Sequence, residues 1–188
     1  MGKVKVKAKT GSEMRSVFHP LDDIYALNGQ TPPSFQAIDA EQMPQPFRRL
    51  LVHTGDMTPA LESHHKKSIH LNVLKCVHEN GSYMREVVLL LDGNNKPVEF
   101  GAIKITLALF DAQSQADILE GNRPLGSIMH DQKVVHASRP KAYLRIVADA
   151  MISAALQAPI GAVLYGRRNT LLTLKNESLA EIVEILAL

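Results

Sequence analysis

Two different spacings of hydrophobic residues divide this chain into its predicted elements. Between residues 68 and 109, apolar residues alternate with polar ones or run on in short blocks, which is typical of strands. Polar turns at 79–82 and 92–97 separate three such strands, predicted at 68–78, 83–91 and 98–109. Because both turns are short, the three strands form an antiparallel meander.

A spacing of three to four residues between apolar positions predicts short helices on either side of the meander. One helix covers 46–53, and Thr58 with Pro59 begins the next. Asp111 caps the first of two short helices within residues 111–130.

The C-terminal part returns to a strand-like pattern. Residues 132–150 fit a strand or a helix, and a strand is favoured; further strands are predicted at 162–174 and 179–186. The predicted fold class is therefore α+β, with an antiparallel sheet of about six strands and helices inserted on one side.

The N-terminal part lacks this regularity. Residues 1–43 are rich in proline and polar residues, which predicts an irregular arm with a short helix around Leu21 to Leu27, followed by a single domain over 44–188. The alternating lysines at positions 3, 5, 7 and 9 indicate a solvated tail more than one face of an extended segment.

Composition removes several classes of function. The 188 residues are 45% hydrophobic and 21% charged, as in an ordinary globular domain. A net charge of +2 does not indicate nucleic-acid binding, and no apolar run is long enough to insert in a membrane. The single cysteine, Cys76, indicates a reducing cytoplasm and, in a strand-like run, predicts a buried, inert thiol. His64 and His65 are adjacent and cannot share one helix face, so no metal site is predicted.

Charged residues inside predicted strands are the strongest sign of a site. Arg85 and Glu86 precede the block Val87–Leu91 and point to opposite faces, both apolar further along. At least one of them enters dry surroundings, where a charge is costly unless it is paired. Either an Arg–Glu pair bridges two strands, or Arg85 grips a small anion in a cavity. The pattern alone leaves both interpretations open.

The last two strands repeat this ambiguity. Glu181 and Glu184 lie on opposite faces of the final strand, so one acid faces inward or lies at an edge. Arg167 and Arg168 likewise point to opposite faces of the strand before it. Gly166, next to them, permits close approach of another backbone or of a ligand.

Four motifs and a terminal segment occur together in an order that resembles the chorismate pyruvate-lyase family, and most closely its divergent branch of formerly unknown function. They are DMTPALE (56–62), YMREVVL (83–89), RPLGSIM (123–129), LYGRRNTL (164–171) and LAEIVEIL (179–186). The resemblance spans about residues 44–186. Tyr165 stands where other members carry Trp, and YMREV replaces a WLREI-like form.

The resemblance implies a helical flap region over a buried ligand cavity, and a reaction. Chorismate would lose its enolpyruvyl group as pyruvate and become 4-hydroxybenzoate, without cofactor or metal, for ubiquinone or aromatic secondary metabolite biosynthesis. Arg85 would grip the ring carboxylate, and backbone amides at Met57 and Leu125 would also hold the ligand. Glu181 would meet the ring hydroxyl, as a base or as an orienting group.

Two further points complete the expectation. Arg168 or Arg167 would meet the second carboxylate of chorismate. A non-catalytic sensor of small aromatic acids is the alternative, because effector domains of a transcription-repressor family (UTRA domains) share this kind of fold. The short, Pro-rich arm has no room for the winged-helix module of such sensors, which favours the lyase over the sensor. A related enzyme acting on a different chorismate-like ether is a third candidate.

Overall fold

A computed structural model describes residues 16–79 and 81–188, in which seven strands form one antiparallel sheet. The order across the sheet is β1-β5-β6-β7-β4-β3-β2. The predicted α+β class and the meander β2–β3–β4 are confirmed, with seven strands instead of about six. The strands are β1 (Phe35–Ile38), β2 (Ile69–Glu79), β3 (Ser82–Leu91), β4 (Pro97–Thr106), β5 (Ala137–Val147), β6 (Val163–Leu172) and β7 (Ser178–Leu186).

Helices cover both faces of this sheet. The cluster of buried side chains on one face includes α1 and α6, and the two clusters on the other face include α2, α3, α4 and α5. The prediction placed the helices on one side and missed α6, whose start is marked by Asp149 accepting from the Ile152 amide at 2.9 Å. The helices are α1 (Leu21–Leu27), α2 (Phe47–Leu51), α3 (Met57–His65), α4 (Ala112–Glu120), α5 (Leu125–Asp131) and α6 (Ala150–Leu156).

From residue 16 onward the N-terminal segment is part of the domain and not an irregular arm. The predicted short helix is present as α1, and Phe18, Leu21 and Ile24 are completely buried against the sheet. β1 pairs with β5 and extends the sheet at its edge. A seven-residue helix and a four-residue strand are too short to show a clear period, which is why the pattern suggested an arm. The alternating lysines lie outside the described residues.

The edge strand β2 corrects another expectation. Cys76 is exposed, not buried. A β-bulge between Val73 and Lys75 shifts the register, so that Cys76 pairs with Arg85 at the open edge of the sheet. In the described part of the chain, no helix is long and apolar enough to cross a membrane.

Two glycines allow the strands on either side of β7 to approach it closely. A Cβ atom at Gly101 would lie 2.0 Å from the carbonyl oxygen of Val183, and one at Gly166 would lie 2.4 Å from that of Glu184. A side chain at either glycine would therefore force the backbone of β7 or of the neighbouring strand to move. The close approach inferred from Gly166 is thus confirmed, and it fixes the backbone of residues 183–184.

Gly101→Ala is expected to lower the free energy of unfolding by about 2 kcal/mol or more, because β4 or β7 has to shift. Urea denaturation measures the change. Gly126→Ala is the matched control: it lies inside α5, and its added Cβ meets nothing closer than 3.6 Å. Equal losses in the two variants would contradict the close approach at Gly101.

Candidate functional site

A cavity of about 610 Å³, counted with its opening to solvent, lies between the sheet and the first turns of α3 and α5. Most of the lining is apolar, contributed by residues such as Leu71, Val87, Leu89, Ile103 and Leu171. Five side chains with ionisable groups interrupt it: Asp56, Arg85, Glu99, Arg167 and Glu184.

Arg85 points into the cavity from β3 with only 1% of its surface exposed. Its Nη2 donates to the carbonyl oxygen of Arg123 at 3.2 Å, in the segment before α5. Nε and Nη1 are buried and have no hydrogen-bond partner among the described residues. None of the ion pairs that those residues form includes Arg85. Arg85 therefore does not form the Arg–Glu salt bridge with any described residue.

The electrostatic state of Arg85 follows from its surroundings. Burial lowers the pKa of the Arg85 guanidinium, and the neighbouring Tyr83 hydroxyl partly offsets this change. An arginine nevertheless stays protonated in proteins. Arg85 is thus a buried cation with unused donors, one N–H on Nε and two on Nη1.

The salt bridge of the cavity belongs to Arg167. This side chain is completely buried, and its Nε donates to Glu184 Oε2 at 2.5 Å. Nη1 donates to the carbonyl oxygens of Leu51 and His53 at 3.4 and 3.0 Å, and Nη2 to that of Gly55 at 3.2 Å. Arg167 is therefore occupied in holding the loop between α2 and α3 at the edge of the cavity.

His53 holds the same loop from within. The Gly55 amide donates to His53 Nδ1 at 3.0 Å, so Nε2 carries the proton and donates to the Leu50 carbonyl oxygen at 2.7 Å. Burial lowers the pKa of His53, and the charge of Arg167 lowers it as well. The neutral ring fits both hydrogen bonds, so the loop is held without any ligand.

Glu99 is a second buried group with unused hydrogen-bonding capacity. It points into the cavity from β4, is 5% exposed, and its Oε2 has no hydrogen-bond partner among the described residues. Burial raises the pKa of the Glu99 carboxyl well above its ordinary value; the Glu184 carboxylate raises it further, and Arg167 opposes both. The cavity therefore favours the protonated form of Glu99. Glu99 was not predicted from the sequence, although it shares a strand face with Ile103.

The raised pKa of Glu99 makes stability depend on pH. Between about pH 4.5 and the folded-state pKa above it, the unfolded chain has released this proton and the folded chain retains it, so the free energy of unfolding falls as pH rises. Glu99→Gln removes this contribution. Urea denaturation across pH 5 to 8 is expected to show a steeper fall for the wild type than for the variant.

The difference between the two proteins isolates Glu99, because the other charged groups around it are common to both. These are Arg85, Asp56, Arg167, Glu184 and His53. Parallel stability curves for wild type and Glu99→Gln would show that Glu99 is ionised in the folded protein.

The structure brings together three of the residues singled out in the sequence. Met57 and Leu125 are the first residues of α3 and α5, and both line the cavity with Arg85. Backbone amides in a first helical turn have no partner inside the helix. Ligand contacts by these amides and by Arg85 remain predictions.

Glu181 and Arg168 lie on the opposite face of the sheet. Glu181 Oε2 accepts from Thr170 Oγ1 at 2.9 Å and from Arg168 Nη2 at 3.3 Å, while Arg168 Nη1 donates to the carbonyl oxygen of Ser16 at 3.0 Å. Side chains alternate along a strand, so the partners that face the cavity are Arg167 and Glu184. Of the two acids of β7, Glu184 therefore lines the cavity and Glu181 does not.

Comparison with known proteins gives information on the fold. No protein-family model and no curated protein sequence matches the chain. Among solved structures, PhnF from Mycobacterium smegmatis matches with a TM-score of 0.54 at 11% identity, over 91% of this chain and 94% of that one. The effector domain of PhnF matches with a TM-score of 0.53 at 11% identity, over 70% of this chain and 88% of that one.

Gene product SA0254 from Staphylococcus aureus matches at 10% identity with a TM-score of 0.53, over 73% of this chain and 90% of that one. At these identities the likeness concerns the fold alone. The chain has the α+β fold common to UTRA domains and chorismate lyases, as the motifs predicted.

Proposed function

We propose that the cavity binds a small ring carboxylic acid whose carboxylate is held by Arg85. The observation that carries this proposal is the buried guanidinium with two unpaired nitrogens. A buried cation without an ionic partner is costly, and a bound carboxylate supplies both the opposite charge and acceptors for the two unpaired nitrogens. The apolar lining around Arg85 suits the ring.

The spacing of the polar groups fits one ring between them. Arg85 on β3 pairs with Ile103 on β4, and Glu99 lies four residues before Ile103 on β4. The Cα atoms of Arg85 and Glu99 are therefore roughly 14 Å apart. With both side chains directed into the cavity, a six-membered ring with a carboxylate at one end and a hydroxyl at the other fits the gap. 4-Hydroxybenzoate is the simplest such acid.

The function we favour is non-catalytic binding, as in a sensor domain for a small aromatic acid. The unused donors of Arg85 account for binding of a ligand, and they do not require that the ligand reacts. The likeness in fold to the effector domain of PhnF supports the same choice.

Chorismate lyase activity is the second candidate, and the two acids at the far end of the cavity favour it. Glu184 is a carboxylate beside Arg167, and its neighbour Glu99 has a raised pKa that favours the protonated form. In this reaction the ring loses the proton on C4, and the C3–O bond breaks. The side chain leaves as the enolate of pyruvate, which takes back the proton from Glu184 to form pyruvate, and the ring becomes 4-hydroxybenzoate. Glu184 would accept the proton.

Two measurements on the purified protein test the proposal. Calorimetric titration with 4-hydroxybenzoate measures binding, and incubation with chorismate measures release of pyruvate and 4-hydroxybenzoate. Binding without pyruvate supports the sensor, and equal amounts of both products support the lyase. Arg85→Met, purified in parallel, excludes a contaminating enzyme. Absence of both binding and turnover would overturn the proposal.

A further inference from the structure

The charges inside the cavity sum to a single unmatched positive charge. Arg167 and Glu184 neutralise each other as a salt bridge. Glu99 is buried and forms no ion pair with any described residue, which favours its uncharged form, so Arg85 carries the unmatched charge. Asp56 also lines the cavity, but it is at the edge, 27% exposed, with its Oδ1 3.1 Å from His136 Nε2. The interior therefore matches one ligand carboxylate and no more.

The two acids of the cavity lie together at the end away from Arg85. Glu184 pairs with Gly101, and Glu99 is two residues from Gly101 on the same strand. This register places the Cα atoms of Glu99 and Glu184 roughly 8 Å apart. Glu184 Oε2 is taken by Arg167, whereas Glu99 Oε2 is buried and without a partner in the described part of the chain.

Resting on the proposed function, we infer that Glu99 sets the ligand class of this cavity: a ring acid with one carboxylate, at Arg85, and a neutral hydroxyl at the Glu99 end. A protonated Glu99 carboxyl donates a hydrogen bond to the hydroxyl oxygen of the ligand. The neighbouring Glu184 carboxylate can accept a hydrogen bond from the same hydroxyl. Glu99 is thus a specificity-determining residue.

Ligands that lack either feature are disfavoured for physical reasons. A ring without the hydroxyl leaves the Glu99 carboxyl buried and unpaired. A ring with a second carboxylate brings a negative charge next to Glu184, where no unmatched cation remains. The cavity therefore favours monoanions such as hydroxybenzoates over dianions such as chorismate.

Three acids built on one benzene ring test this inference by calorimetric titration at pH 7: 4-hydroxybenzoate, benzoate and benzene-1,4-dicarboxylate. The wild type is expected to bind 4-hydroxybenzoate at least about tenfold more tightly than benzoate. The dicarboxylate is expected to bind more weakly than benzoate. Binding of the dicarboxylate as tight as that of 4-hydroxybenzoate would overturn the inference that the cavity accepts only one ligand carboxylate.

Two substitutions of Glu99 separate hydrogen bonding from shape. Glu99→Leu removes the donor, and the ratio between 4-hydroxybenzoate and benzoate affinities is expected to fall towards one. Glu99→Gln keeps an N–H donor and is expected to keep the ratio within about threefold of the wild type. Thermal unfolding establishes that both variants are folded. An unchanged ratio in folded Glu99→Leu would overturn the role of Glu99.

The outcomes also separate this inference from the proposed function. Loss of discrimination with retained benzoate binding supports Glu99 as the selector and Arg85 as the anchor. Tight but equal binding of benzoate and 4-hydroxybenzoate by the wild type refutes only the role of Glu99. A wild type that binds none of the three acids refutes the proposed function, and the inference with it.

Discussion

Replacing Arg85 with methionine is expected to abolish binding of ring carboxylates while leaving the protein folded and at least as stable as the wild type. Affinity for 4-hydroxybenzoate should fall at least 100-fold, about 2.7 kcal/mol, because the ligand carboxylate would be buried without a cation. Stability should be kept, because the substitution removes a buried charge that has no ionic partner among the described residues.

The combination of the two results makes this prediction specific. Arg139→Met is the matched control, since it removes the same charge from an exposed position on β5 and should leave binding unchanged. Arg85→Ala is expected to lose binding as well, with some loss of packing. If Arg85→Met unfolds the protein, or binds 4-hydroxybenzoate as the wild type does, Arg85 is not a ligand anchor.

Replacing Arg167 with methionine is expected to have the opposite effect on stability. The substitution leaves Glu184 buried without its cation and releases the carbonyl oxygens of Leu51, His53 and Gly55. We expect the free energy of unfolding to fall by about 3–5 kcal/mol, the usual result of breaking a buried ion pair from one side. Urea denaturation of Arg167→Met beside Arg85→Met measures the contrast.

A double variant distinguishes the ion pair from general packing. Arg167→Met with Glu184→Leu removes both charges, so it should recover part of the stability lost in Arg167→Met alone. If Arg85→Met and Arg167→Met lower the free energy of unfolding by comparable amounts, the contrast between an ion-paired Arg167 and an unpaired Arg85 is contradicted.

Much of the fold could be predicted because long strands and polar turns leave a clear period. The meander of β2, β3 and β4 is of this kind, and so is the cap of α4, where Asp111 accepts from the Ser114 amide at 2.7 Å. The elements that escaped prediction, β1 and α6, are short and take their stability from packing on the sheet.

The site was only partly predictable, for a reason that lies in the strands. Arg85 was identifiable because it precedes five aliphatic residues in a strand, where burying its charge costs free energy unless the charge is paired. Glu184 and Glu181 could not be separated, because both faces of β7 are apolar and a register shift between Leu171 and Leu172 precedes it in the pairing of β6 with β7. The two acids are three residues apart and therefore point to opposite faces of the strand. Which of them faces the cavity depends on the pairing register, which the sequence does not give.

The structure of the complex with 4-hydroxybenzoate is the most direct measurement of the central claim, that Arg85 is kept unpaired for a ligand carboxylate. We predict a carboxylate oxygen within about 3 Å of Nε or Nη1 of Arg85, with the ring hydroxyl directed at Glu99 and Glu184. A bound ligand whose carboxylate lies away from Arg85, with both nitrogens still unpaired, would contradict the account.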